Sequence, residues 1–589
     1  MSARHLKFWP SNAAHDLTAP ATNLYYNAEV SARRYPNKPF IVFYDTAVTF
    51  AGFHDETHRI AGFLERQCGI QKGDRVLLLM QNSPQFIIGY YGILRANAVV
   101  VPLNPMNLSA EILKFVQDTG SRTILVSQEL YARVQPLLQS GVLKHAVVAA
   151  YSDYLKEATT LTVPDFVAAP RAGIQQAGVT LWKDVLAANL QPGPLTAGPD
   201  DLSVMPYTSG TTGTPKGVMH SHRTVMHTAV GSLAWFAAQA EHTLLAVAPF
   251  FHVTGMQGSM NGPLYFGCTI VLLPRWDRDT AARCVERYRI STWTAVPTMI
   301  QDFFLNPKLD QYDISSIRRL SGGGAAMPAA VAQRLQSAGV TYFEGYGLTE
   351  TMAATHLNPP EHPKMQCLGI PIFGVDSRII DPVTLQERPP GESGEIIMHG
   401  PQVMLGYWNK PEDTANAFLE IDGKRFFRSG DLGKMDEDGY FFIVDRLKRM
   451  INASGFKVWP TEIESLMYHH PAVQEACIIS TKDAHRGETV KAVIVLKPEF
   501  VGKTRAQDIT DWARDHMAAY KVPRVIQFVD ALPKSGSGKI MWRELQDLEN
   551  AATSPTPTPT PTATTTTTTT TAATTTTDPT HSATAPSES

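Results

Sequence analysis

The chain reads as an α/β protein: a large N-terminal body of several sheets and helices with a β-rich subdomain, followed by a small C-terminal α+β domain. Three observations predict this. Continuous apolar runs at 75–80 and 99–103, the mark of strands buried on both faces, alternate with helical segments, as in a mostly parallel sheet covered by helices. From Gly394 the texture changes to short strands separated by glycine turns at Gly400, Gly406, Gly423, Gly430, Gly433 and Gly439. Beyond Asp445-Arg446-Leu447-Lys448, about 100 residues carry their own small α/β pattern, enough for a small domain. The 589 residues therefore divide into a body, 1–446, a second domain, 447–550, and a tail, 551–589.

In chain order, 41–44 (Ile-Val-Phe-Tyr) is a short strand, and 53–66 sets Ile60, Phe63 and Leu64 at helical spacing. The run 75–80 is a strand, 84–96 a helix and 99–103 another strand. Residues 150–200, with Pro164, Pro170, Pro192 and Pro194 near small residues, read as a surface connection. Strands resume at 244–248, 269–273 and 292–296, each followed by proline. In the second domain 462–468 and 506–517 are helical, while 475–480 and 491–496 are strands. The Thr/Pro/Ala/Ser tail has almost no large apolar side chain, so it is expected to be disordered and not catalytic.

Composition removes several function classes. Hydrophobic content of 43% with 18% charged residues is that of a soluble globular protein, and a net charge of −3 argues against a general nucleic-acid binder. Five scattered cysteines, never in a C-x-x-C pair, suggest a reducing compartment and no zinc site. The start lacks the apolar core of a signal peptide, and no run is long enough to span a membrane. Ser587-Glu588-Ser589 is not a peroxisomal address, so the cytoplasm is the expected location. Peripheral membrane contact and a homodimer stay open.

The densest chemical signal is Tyr207-Thr-Ser-Gly-Thr-Thr-Gly-Thr-Pro-Lys-Gly217. Glycines bring backbone N–H groups close to a ligand, hydroxyls add donors, and Lys216 adds a compact positive charge. The expected guest is a polyphosphate. The loop is not a Walker A motif, because Pro215 and Gly217 stand where that motif needs glycine and a hydroxyl. Tyr346-Gly347-Leu348-Thr349-Glu350 joins a ring that can stack on a purine, a hydroxyl that can reach phosphate and a carboxylate that can hold Mg²⁺. On these residues alone, Glu350 could equally be a capping partner for the next helix.

Ser321-Gly-Gly-Gly-Ala-Ala-Met-Pro328 reads as a glycine turn entering a helix, and Ser429-Gly430-Asp431 as a turn between strands. Asp431 can accept both hydroxyls of a ribose. Arg446 by itself is a strand-end surface arginine. His252, among Pro249-Phe250-Phe251 and Val253-Thr254-Gly255, is by itself a packed histidine. Pro533-Lys-Ser-Gly-Ser-Gly-Lys539-Ile540 is a flexible loop presenting lysines.

The stretch Thr208–Gly217 resembles the signature loop of the adenylate-forming superfamily, which comprises acyl-CoA synthetases, firefly luciferases and peptide-synthetase adenylation domains. The other motifs follow in that family's order over roughly residues 20 to 548. The resemblance, most like a fatty-acid–CoA ligase, implies ATP, Mg²⁺ and coenzyme A as cofactor and co-substrates. It implies that Thr208, Ser209, Gly210, Thr211, Thr212 and Lys216 hold phosphate. Gly323, Gly324 and Ala325 would lie along adenine and acyl group. Tyr346, Gly347, Thr349 and Glu350 form the adenine and metal motif, and Asp431 and Arg446 meet ribose and phosphate. His252 would position the acyl group, and Lys539 would bridge carboxylate and α-phosphate. Lys448 would be the hinge, and Gly455 and Lys457 belong to the loop that swings in for thioester formation. Ser429 stands where relatives usually have Thr, Lys457 where most have Asn and Trp459 where most have Tyr.

The expected reaction forms acyl-AMP and pyrophosphate from ATP and a carboxylic acid, after which the CoA thiol displaces AMP. Phe251, Met256, Trp293, Val296, Met299 and Gly323 form an apolar or small pocket set, with no arginine for a second carboxylate. A medium- to long-chain fatty acid is the expected substrate, with an aryl acid of the cinnamate or benzoate type as the alternative. A luciferase, a peptide-synthetase module and a catalytically dead binding protein are the competing classes. The first needs a light assay to separate. The second lacks room for a carrier domain in the tail, and the third would have lost Lys216, Glu350, Asp431, Arg446 or Lys539.

Overall fold

A computed structural model describes residues 4–208, 215–323, 342–446, 449–453, 456–483, 487–535 and 540–553, with 332, 333, 335, 337, 339 and 340. Four sheets form among them. In the first, six parallel strands lie in the order Pro39–Phe43, Thr269–Leu272, Thr243–Ala246, Thr292–Thr294, Arg319–Gly323 and Tyr342–Leu348, with antiparallel strands at both edges. In the second, Val179–Leu181, His145–Ala149, Thr123–Ser127, Arg75–Leu79, Val99–Pro102 and Leu202–Val204 are parallel. Lys216–Ser221 and Gly406–Tyr407 then continue it antiparallel.

The apolar runs form the interior strands because both of their faces are covered. Val76, Leu77, Leu78 and Leu79 are fully buried, and so are Val99, Val100 and Val101. Helices Phe50–Arg66 and Pro84–Arg95 pack against each other over this core. Both begin where the sequence supplies a cap: Thr49 accepts from Gly52 N at 3.1 Å, and Ser83 accepts from Phe86 N at 3.1 Å with Pro84 next in line.

The third sheet is antiparallel and holds Asp376–Ile380, Ser393–His399, Lys424–Met435, Phe418–Ile421 and Phe441–Arg446. The fourth, in the second domain, holds Phe456–Val458, Ile451–Ala453, Gly487–Leu496, Val473–Asp483 and Val525–Phe528. The two are joined beside the connection at 447–448. Asp445 Oδ2, on the last strand of the third sheet, accepts from Thr461 N at 2.7 Å at the start of helix Pro460–Met467. Arg449 pairs with Glu464 of the same helix.

Three expectations change. Residues 150–200 are not merely a surface connection. They supply the edge strand Val179–Leu181 and the helix Trp182–Ala188, and they bury Tyr151, Tyr154, Val167, Trp182 and Val185. Large buried side chains anchor these short elements, and the helix ends at Asn189, which takes a left-handed conformation. Ser429-Gly430-Asp431 is not a turn between strands but a bulge inside Lys424–Met435, where the register with Ser393–His399 shifts. Gly430 has φ 69°, which a side chain would strain, so it permits the bulge. The last helix, Trp542–Thr553, runs past the boundary expected at 550.

Burial leaves several imidazoles neutral. His54, His220 and His222 are pushed down to about 4 and His356 to about 3, in each case chiefly by burial. His222 Nδ1 accepts from Leu24 N at 2.9 Å, a bond that protonation there would break. In unfolded chain these rings titrate near 6.5, so below that pH the unfolded state binds more protons. Their contribution to stability is complete above about 6.5 and is lost as pH falls toward about 4. The melting temperature should therefore drop steeply across that window. A flat profile between pH 6.5 and 4 would contradict the burial of these rings.

Candidate active site

The candidate residues gather at the carboxyl ends of the parallel strands of the first sheet, the edge where open α/β sheets hold ligands. Pro249 to His252 follow Thr243–Ala246, Val296 follows Thr292–Thr294, Gly323 ends Arg319–Gly323, and Thr349-Glu350 follow Tyr342–Leu348. Glycines let the backbones close up here. A Cβ on Gly347 would fall 1.6 Å from the Ala353 carbonyl oxygen, and one on Gly323 would fall 2.2 Å from that of Gly345.

Lys216 begins the strand Lys216–Ser221 opposite Thr208, so the register puts the two ends of the expected phosphate loop side by side. Its ammonium lies 2.5 Å from Asp413 Oδ1 and 5.1 Å from the centroid of the Tyr407 ring. The hydroxyl of the same tyrosine donates to Glu350 Oε1 at 2.9 Å. Glu350 sits in a short 3₁₀ turn, Thr349–Thr351, whose backbone is held from two sides. Met404 N donates to the Glu350 carbonyl at 2.7 Å, and His220 Nε2 meets the Thr349 carbonyl at 2.8 Å. Since His220 is neutral, this nitrogen carries the proton and donates it. Burial raises the Glu350 carboxyl above its ordinary value, while the Tyr407 hydrogen bond and Arg446 draw it back. The cap of this turn is made by Thr351, whose hydroxyl accepts from Leu348 N at 2.9 Å, while the Glu350 carboxylate accepts from Tyr407.

A second group lies on the third sheet. Asp431 and Arg446 are cross-strand neighbours, with Arg446 Nε 2.8 Å from Asp431 Oδ1. The Tyr346 hydroxyl donates to Asp431 Oδ2 at 2.7 Å, across 85 residues of sequence. The bulge at Gly430 aims Asp431 at Tyr346, and the Asp431 charge is the first cause of a raised Arg446 value. The Tyr346 ring leans on buried His356, centroids 5.6 Å apart. Arg446 and Asp431 also act on Glu350 through their charges, so the two groups share one field.

His252 is half-buried ahead of helix Val253–Met256, with its ring 4.4 Å from that of Phe251. That helix packs on strand Ala353–Leu357, behind the Glu350 turn. Of the expected pocket residues, Phe251, Val296 and Met299 are half-buried and Met256 is fully buried. Trp293 is sealed in the core, stacked on Trp276 at 5.2 Å and edge-on to Phe303 at 5.5 Å. Ser209, Gly210, Thr211, Thr212, Gly324, Ala325, Lys448, Gly455 and Lys539 lie outside the described residues. Lys457 lies on the strand Phe456–Val458, opposite Asn452.

Sequence reasoning missed three residues that the fold brings in: His220, Tyr407 and Asp413. Gly406-Tyr407, one residue wide of a glycine turn, was the only local signal. Its meaning depends on pairing with Val218 and Met219.

Comparison with known proteins shows the family. The family model for AMP-binding enzymes matches residues 28–408, and the model for the C-terminal domain of AMP-binding enzymes matches 462–539. A long-chain-fatty-acid–CoA ligase of Bacillus subtilis (strain 168) is 35% identical over 555 residues, 92% of this chain and 97% of that protein. A feruloyl-CoA synthase of Amycolatopsis sp is 34% identical over 517 residues, 87% of this chain and 96% of that protein. The solved structure of an anthranilate CoA ligase in complex with anthranoyl-AMP superposes with a TM-score of 0.78 at 26% identity, covering 90% of this chain and 98% of that one. The chain belongs to the AMP-binding enzyme family, the adenylate-forming superfamily. Within it, the chain is an AMP-forming acid–CoA ligase that uses ATP, Mg²⁺ and coenzyme A.

The donor set fits magnesium. Mg²⁺ keeps several waters and is usually bound by one or two carboxylates plus substrate phosphates. Glu350, next to the Thr349 hydroxyl, offers that single carboxylate, and no group of three or more His, Cys, Asp or Glu that could hold a metal occurs among the described residues. Among those residues no helix is long and apolar enough to cross a membrane.

Tyr407→Phe removes the hydrogen bond that lowers the Glu350 carboxyl. Glu350 should then bind its proton at higher pH, and the acid limb of ATP–pyrophosphate exchange should move toward neutrality. An unmoved limb would mean that this hydroxyl does not hold Glu350 in the working enzyme.

Proposed function

We propose that the chain activates a medium- to long-chain fatty acid as its acyl-adenylate and passes the acyl group to coenzyme A in the cytoplasm. The observation that carries the site reading is the convergence of Lys216, Glu350, Asp431 and Arg446 around one sheet edge, beside the apolar segment that holds Phe251. In this reading the carboxylate oxygen attacks the α-phosphorus and pyrophosphate leaves. The CoA thiol, giving up its proton to solvent, then attacks the acyl carbonyl carbon, and AMP leaves with the bonding pair of the C–O bond that joined it to the acyl group. No protein nucleophile takes part. The cysteine thiols suit that role poorly, since burial pushes Cys68, Cys268, Cys284, Cys367 and Cys477 up to about 12.

Lys216 and the hydroxyls of residues 208–212 grip the phosphates. The Tyr346 ring packs on adenine, while Asp431 and Arg446 take the ribose. Glu350, with Thr349, would hold magnesium, which supplies charge neutralisation on the phosphates. Phe251, Val296 and Met299 face the acyl chain, backed by Met256 and Trp293, and His252 positions the carboxylate end. Lys539 bridges carboxylate and α-phosphate. Rotation about Lys448 exchanges its loop for the one carrying Gly455 and Lys457.

Relatives named long-chain-fatty-acid–CoA ligase, at 35% and 30% identity, support the fatty-acid reading. The feruloyl-CoA synthases at 34% favour a second reading, an aryl acid. ATP–pyrophosphate exchange with a panel from acetate to palmitate, plus ferulate and benzoate, separates them. Rates should rise with chain length, since each buried CH₂ adds about 0.8 kcal/mol. Fastest exchange with ferulate or benzoate would replace the fatty acid by an aryl acid.

Lys539→Ala should slow adenylation by roughly 100-fold or more. Thioester formation from supplied acyl-AMP should be spared, because that step uses the other loop. Equal loss in both half-reactions would overturn the rotation.

A further inference from the structure

The charge that faces Lys216 comes from outside every motif named above. We propose that Asp413 is the internal counter-anion of Lys216, displaced when a triphosphate binds and restored as pyrophosphate leaves. Asp413 is then a positioning residue that sets ATP affinity and product release. The inference rests on the reading of Lys216 as a phosphate ligand.

The geometry is specific. Lys216 Nζ and Asp413 Oδ1 are 2.5 Å apart, from residues 197 positions apart in sequence. The lysine side chain is 11% exposed and the aspartate 38% exposed, so the cation is sheltered while its anion opens to water. Asp413 lies in the first turn of helix Pro411–Asn416. Backbone contacts fix that helix against the lysine's own strand. Tyr407 N donates to Thr414 Oγ1 at 2.9 Å, and Trp408 N donates to the Gly217 carbonyl at 2.8 Å. Gly406 has no Cβ where one would lie 2.7 Å from Thr414, so the helix can approach this closely.

These positions dictate an exchange. Without a ligand, Asp413 neutralises Lys216, which would otherwise sit charged over the Tyr407 ring with little water. A triphosphate brings several negative charges to the same ammonium, and like charges repel a carboxylate at contact distance. The exposed carboxylate can turn to water, whereas the sheltered lysine cannot. When pyrophosphate begins to leave, the carboxylate returns to the ammonium and weakens the hold on the departing anion. The same contact thereby opposes binding and favours release.

The test uses the full-length enzyme with Asp413→Asn, which keeps the shape and removes the charge. ATP affinity is measured by calorimetry in the presence of Mg²⁺, and pyrophosphate is titrated as a product inhibitor of thioester formation. The expected result is tighter binding of both, by about tenfold, the scale of one charge-assisted hydrogen bond. Turnover should fall wherever pyrophosphate release limits it, so kcat and KM for ATP should decrease together. Asp413→Ser should move both affinities in the same direction, and Asp413→Glu should stay near the parent. Unchanged or weaker ATP binding in Asp413→Asn and Asp413→Ser would overturn the inference.

Lys216→Ala separates the two levels. If it binds ATP as the parent does, the phosphate role of Lys216 fails and the inference with it. If it binds ATP poorly, that role stands, and adding Asp413→Asn should then bring little further tightening. Full tightening without Lys216 would show a general charge effect and would overturn the inference alone.

Discussion

Tyr407 touches both Lys216 and Glu350. Its ring face meets the cation at 5.1 Å, and the hydroxyl at the ring's far end donates to the Glu350 carboxylate at 2.9 Å. The ammonium's direct ion pair is with Asp413. The arrangement is set by backbone. Strand Gly406–Tyr407 pairs with Val218 and Met219, Leu405 N bonds to the Met219 carbonyl at 3.0 Å, and Met404 N bonds to the Glu350 carbonyl at 2.7 Å. One short segment thus stitches the second sheet to the end of the first, and the site lies along that seam.

The third sheet contributes in a different way. Its long strand Lys424–Met435 bulges at Gly430, which places Asp431 between the Tyr346 hydroxyl and the Arg446 guanidinium. Arg446 is also the last described residue before the connection at 447–448, and its neighbour Asp445 holds Thr461 N of the second domain at 2.7 Å. A proposed nucleotide contact and a domain contact therefore stand on adjacent residues of one strand. Any reorientation of the second domain begins one peptide away from a side chain of the site.

Much of this was legible in the sequence. Continuous apolar runs fixed which strands would be interior, since only a strand covered on both faces tolerates them. Glycine and hydroxyl spacing singled out 207–217 as a candidate phosphate loop, and the family resemblance singled out Asp431 and Arg446, which the fold then pairs. The errors were local. The prolines of 150–200 suggested a loop, but Trp182 and Tyr151 anchor short elements there. Ser429-Gly-Asp431 looked like a turn because a glycine that permits a bulge has the same signature as one that permits a turn.

What the sequence determined by itself, then, is the kind of chemistry and the interior of each sheet, because propensity, periodicity and motif spacing act over a few residues. Tertiary structure alone decided which groups face one another. Lys216 and Asp413 lie 197 residues apart, Tyr346 and Asp431 85, and Glu350 and Tyr407 57. No local rule links such pairs. They meet because particular strand edges pair and particular backbones approach closely, and those choices are made by the packing of the whole chain.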